Sequence, residues 1–151
     1  MAPKQPRGIR NNNPGNLIKN HIEWNGMNEI QDDPNFIIFS NPVFGLRALI
    51  KLLINYNKIH GLNTVSTIIN RWAPPHENAT NSYAQNVANY LSVNKDQHLN
   101  LRDDKTLIKL AKVITIQENG HPPKDKPQYW YSDKTYQQAA NLALNNKQNY
   151  T

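Results

Sequence analysis

Apolar residues recur at helical spacing along most of this chain and alternate over only two short stretches. From about Val43 to Ile59, the residues Leu46, Leu49, Ile50 and Leu53 fall on one face of an amphipathic helix. Ser40-Asn-Pro42 supplies an N-cap and a helix-initiating proline before it, and Gly61 marks its end. Asn63 or Thr64 caps a second helix running through Ile68 and Ile69 to Trp72, where Ala73-Pro-Pro75 stops it. A third opens at Thr80 or Asn81 and places Tyr83, Val87, Tyr90 and Leu91 together. Asp103 or Asp104 caps a fourth, and a fifth runs from Asp133 to about Leu144. Ile22–Trp24 and Phe36–Phe39 are short β-like runs. The polar stretch between them carries Gly26, Asp32, Asp33 and Pro34, which predicts a small hairpin. Residues 1–7 read as a flexible arm, and Gly8–Asn16 is dense enough in turn formers to be loop. The expectation is an α+β fold, mostly α, with five helices and one small hairpin in a single domain over residues 8–151.

The fourth helix carries the most informative residue. Leu107, Leu110, Ala111, Ile114 and Glu118 share one face, apolar until its last member, and Gly120 reads as a left-handed C-cap. A carboxyl on the inward side of a helix loses hydration and meets the negative end of the helix dipole. Both effects favour its protonated form, which a glycosidase needs in its general acid. The alternative is a side chain that merely reaches solvent at a helix end.

Composition narrows the choices. The net charge of +6 and pI near 9.6 favour polyanionic partners: nucleic acid, anionic lipid or the acidic bacterial wall. The basic residues are scattered rather than clustered, so no specific nucleic-acid interface is expected. The absence of cysteine excludes disulfides, thiol nucleophiles and thiolate metal sites. Met1-Ala-Pro-Lys-Gln-Pro-Arg7 lacks the apolar run of a secretory signal, and no stretch approaches the roughly 18 apolar residues of a membrane span. His21, His60, His76, His98 and His121 show no metal-binding spacing, and no phosphate loop or serine-nucleophile elbow is present. Neither metal nor cofactor is expected.

Among the 11 acidic residues, Glu77 is the second candidate acid, although its place just before a helix N-terminus also suits capping. Asp32 and Asp33 read as turn residues. Trp24, Trp72 and Tyr83 suit a core or a pocket wall, whereas Tyr129-Trp-Tyr131 is the better candidate for exposed stacking on sugar rings.

Several segments together resemble a phage and prophage family labelled as virion structural proteins, whose members look like lysozyme-like domains. They are Arg7-Gly-Ile-Arg-Asn-Asn-Asn-Pro-Gly-Asn-Leu17, Trp24-Asn-Gly26 and Phe36-Ile-Ile-Phe-Ser-Asn-Pro-Val-Phe-Gly-Leu-Arg-Ala-Leu49. Arg71-Trp-Ala-Pro-Pro-His-Glu-Asn-Ala-Thr80, Tyr83 and Glu118-Asn-Gly120 complete the match. Ile114-Thr-Ile-Gln-Glu-Asn-Gly120 is also similar to the glutamate-bearing helix of lytic transglycosylases and goose-type lysozymes. Gly45-Leu-Arg-Ala-Leu49 is similar to their later Gly-Leu helix start. Their order is reversed here, and Asn119 and Arg47 replace the usual serine and methionine. A circular permutation of a lysozyme-like fold would account for the reversal.

The resemblance implies a monomeric peptidoglycan-cleaving glycosidase, either lysozyme or lytic transglycosylase, with Glu118 as general acid and base at the bond between N-acetylmuramic acid and N-acetylglucosamine. It further implies Asn12, Asn13, Asn16 and Tyr83 as substrate-binding donors. The protein would act on the cell wall in the periplasm or travel in a phage particle beside other virion proteins. The rival classes are a non-catalytic virion structural or adaptor protein and a basic nucleic-acid-binding domain.

Overall fold

The computed structural model describes residues 5–73 and 78–145, so Glu77 lies outside the described residues. Six helices follow one another: α1 (Arg7–Arg10), α2 (Pro42–His60), α3 (Val65–Trp72), α4 (Asn78–Leu91), α5 (Asp104–Asn119) and α6 (Asp133–Asn145). Their ends obey local chemistry. Asn41 accepts a hydrogen bond from the Val43 amide at the start of α2, and Thr64 and Thr67 form a reciprocal capping box on α3. The Asp103 carboxylate accepts from the Thr106 amide and hydroxyl at the start of α5.

The core is built around α2. Leu46, Leu49, Ile50 and Leu53 are fully buried, and so are Leu107, Leu110, Ala111 and Ile114 of α5. Each large aliphatic side chain so buried contributes roughly 1.5–3 kcal/mol before entropy is counted. Helix α2 packs on α6 and α5, α5 also touches α4, α6 and α1, and α3 packs on α4. Gly45 lets the N-terminal segment close onto α2: a Cβ there would collide with the Asn12 carbonyl.

The expected loop over residues 8–16 begins instead with the short helix α1. Its first residue, Arg7, is not part of a loose arm but pairs with Asp33. The expected hairpin is also replaced. Among the described residues there is no named strand here, only isolated antiparallel bridges between Ile18 and Phe36 and between Met27 and Phe39. Side-chain amides do much of the work of a β-ladder. Asn13 Nδ2 donates to the Leu17 and Ile37 carbonyls, and Asn13 Oδ1 accepts from the Leu17 amide. Gln31 bridges to Ile38 in the same two-way manner. The architecture is therefore mostly helical with almost no strand.

Candidate active site

Glu118 stands one residue from the end of α5, half-buried, in line with the apolar stripe that anchors the helix. Gly120 follows with φ 77° and ψ 179°, a positive-φ but extended cap rather than the left-handed helical one expected. Trp130 fixes this end by donating its indole N–H to the Gly120 carbonyl at 2.9 Å. Asn119 reaches back with its amide to the Pro14 carbonyl at 2.8 Å, joining the helix end to the turn of the N-terminal segment. The Asn16 and Asn119 side-chain oxygens close around Gly8, where a Cβ would lie 2.8 and 2.5 Å from them. That contact fixes the spacing between the N-terminal segment and α5.

Two neutral donors meet the carboxylate. Asn16 Nδ2 donates to Glu118 Oε1 at 3.2 Å, and the Tyr83 hydroxyl donates to Oε2 at 3.0 Å. Burial pushes the Tyr83 phenol far above its ordinary range, and the adjacent Glu118 charge adds to that. A hydrogen bond from Trp72 opposes it. The Tyr83 hydroxyl therefore keeps its proton and stays available as a hydrogen-bond donor to Glu118. Trp72, Tyr83 and Glu118 form a relay that links α3, α4 and α5.

Glu118 opens on a cavity of about 490 Å³, within the size range of small-molecule sites. Trp24, Phe36, Tyr56 and Trp72 supply aromatic wall, Leu17, Ile18 and Leu52 aliphatic wall, and Asn16 and Asn20 polar contacts. Glu118 is the acidic member of this lining. A flat apolar ring beside amide donors and one carboxyl group offers a sugar ring both stacking and hydrogen-bonding contacts.

Of the residues singled out in the sequence, the fold brings Glu118, Asn16 and Tyr83 together. Asn12 and Asn13 go elsewhere. Asn13 is fully buried with its amide bonded to the backbone, and Asn12 donates to the Phe39 carbonyl at 3.0 Å. Neither is among the residues that line the cavity. Tyr129-Trp-Tyr131 is packed rather than exposed. Trp130 is buried, and Tyr129 and Tyr131 lie against the core with edge-on contacts to Tyr90 and Tyr136. The aromatic wall residues Phe36 and Tyr56 had no sequence signal tying them to Glu118: Phe36 opens a short β-like run, and Tyr56 stands between two asparagines. Among the described residues, no group of three or more His, Cys, Asp or Glu side chains is placed to hold a metal ion. No helix among them is long and apolar enough to cross a membrane.

The chain is 38% identical over 120 residues to Protein P5 of Pseudoalteromonas phage PM2, covering 78% of this chain and 73% of that protein. The chain belongs to the Protein P5 family. No family model matches it. Membership of the Protein P5 family establishes kinship with a phage protein, the coarser part of the resemblance drawn from the sequence.

Proposed function

We propose that the Glu118 pocket cleaves the glycan strand of bacterial peptidoglycan. The observation that carries this reading is a helix-end carboxyl, held by Asn16 and Tyr83, facing an aromatic-walled cavity. Glu118 in its acid form gives its proton to the glycosidic oxygen between N-acetylmuramic acid and N-acetylglucosamine as the C–O bond breaks. The resulting carboxylate then takes a proton from the hydroxyl that attacks the anomeric carbon. Glycosidases of the two-carboxylate type need a second acid within about 10 Å. Among the described residues the pocket lining offers none. That favours participation by the substrate itself: the acetamido oxygen closes on the anomeric carbon as the bond breaks, and the muramic C6 hydroxyl then displaces it and gives its proton to the Glu118 carboxylate. A permuted lysozyme-like arrangement would account for Glu118 following, rather than preceding, the Gly45-Leu46 helix start. Mass spectrometry of fragments released from purified peptidoglycan tests this: anhydro-muropeptides are the expected product, reducing muramic ends would indicate hydrolysis, and no fragments at all would sink the reading.

A second reading is a non-catalytic structural or adaptor protein of a phage particle. The kinship with a phage PM2 protein speaks more directly for it than for catalysis, while the pocket speaks for the first. Presence in purified particles together with inertness toward peptidoglycan would favour the second.

A further inference from the structure

Arg71 is the penultimate residue of α3, and the next residue, Trp72, lines the Glu118 cavity. Its guanidinium carbon lies 5.5 Å from the centroid of the Tyr56 ring, which lines the same cavity. The cation therefore stacks on a ring of the cavity wall, beside rather than within the lining. Arg71 is exposed, and its guanidinium has no hydrogen bond or ion pair among the described residues. Arg7, by contrast, spends its head on Asp33. Stacking on an aromatic ring restrains a guanidinium without consuming its N–H groups, so they stay free to grip a planar anion through two parallel bonds. Apart from Glu118, every residue lining the cavity is uncharged. A substrate bearing a carboxylate therefore meets Arg71 as the cation flanking the lining.

We propose that Arg71 recognises a carboxylate carried by the glycan, such as the lactyl carboxylate that N-acetylmuramic acid exposes where it bears no stem peptide, and thereby selects acidic over neutral amino-sugar polymers. This rests on the glycan-binding reading of the pocket but not on its catalytic part. Arg71 is a specificity residue here and takes no part in the proton transfer.

Calorimetric binding to the Glu118→Gln protein, which cannot turn substrate over on this reading, tests the proposal. The probes are a GlcNAc–MurNAc tetrasaccharide, its carboxyl-methyl ester and chitotetraose. Adding Arg71→Gln is expected to weaken the free-acid tetrasaccharide by about tenfold while leaving the ester and chitotetraose within about twofold. Arg71→Lys, which keeps the charge but loses the fork, should fall between. Chitotetraose binding doubles as the check that each variant is folded. Equal losses on all three sugars, or none on the free acid, would overturn the proposal. If the Glu118→Gln protein binds none of the sugars, both the proposal and the glycan-binding reading fall. If binding is selective but the wild-type protein releases no fragments, only the catalytic reading falls.

Discussion

Asp33 and Glu118 are both gripped by side chains of the N-terminal segment, and they are used in opposite ways. Asp33 is saturated. Arg7 donates to it twice, at 2.6 and 2.7 Å, Asn11 donates once, and the amides of Asn35 and Phe36 complete five bonds. The Arg7 guanidinium also stacks over Phe36 at 4.6 Å. The Arg7 bonds, aided by the backbone amides and Asn11, hold the Asp33 carboxyl far below the usual carboxylate range. A group so tightly held cannot give or take a proton near neutral pH. Among the described residues, Glu118 accepts two bonds, both from uncharged donors, and it lines an open cavity. The number and charge of donors, more than burial alone, separate a carboxylate that fastens the fold from one free to do chemistry.

The largest expected effect lies on the Glu118 side. Glu118→Gln should reduce fragment release by on the order of a hundredfold or more, with little change in thermal midpoint, because the amide still accepts one hydrogen bond. Retained activity would erase the distinction from Asp33. Next comes Asn13, the structural counterpart of Asn16 three residues along. Asn13→Ala strips three buried hydrogen bonds and should lower stability by about 2–4 kcal/mol in denaturant titration, whereas Asn16→Ala should mainly lower activity. A smaller change is expected for Tyr83→Phe: about tenfold in fragment release, with the helices intact by circular dichroism.

The subtlest test is the pH dependence of stability. The folded-state pKa of Asp33 is depressed, so its contribution is fully present above the ordinary carboxyl range near about 4. It is lost as the pH falls from there toward the folded value. Asp33→Asn should lower the thermal midpoint at neutral pH and flatten its decline below about pH 4. Unchanged acid sensitivity in that variant would show that Asp33 does not fasten the segment.

The same contrast explains what the sequence could reveal. Helices α2, α3, α5 and α6 were legible almost to the residue, because apolar spacing and the caps at Asn41, Thr64 and Asp103 agree. The segment from 22 to 39 was misread as a hairpin, because its pairing runs largely through the amides of Asn13 and Gln31, which alternation does not encode. Glu118, Asn16 and Tyr83 were readable as partners; the local run Asn11-Asn-Asn13 gave no means of telling pocket donors from backbone braces. Asp33 looked like a turn residue, since its partner Arg7 lies 26 positions away. Arg71 and Tyr56 carried no joint signal, because they stand 15 positions apart on different helices and meet only in the fold.

The most direct test is a side-by-side digestion of purified peptidoglycan by wild-type, Asp33→Asn and Glu118→Gln proteins, at a temperature where all three are folded. Soluble muropeptides from the first two and none from the third are expected. Equal release by the Glu118→Gln protein, or none by the wild type, would contradict the assignment of Glu118 as the acid that cleaves the glycan.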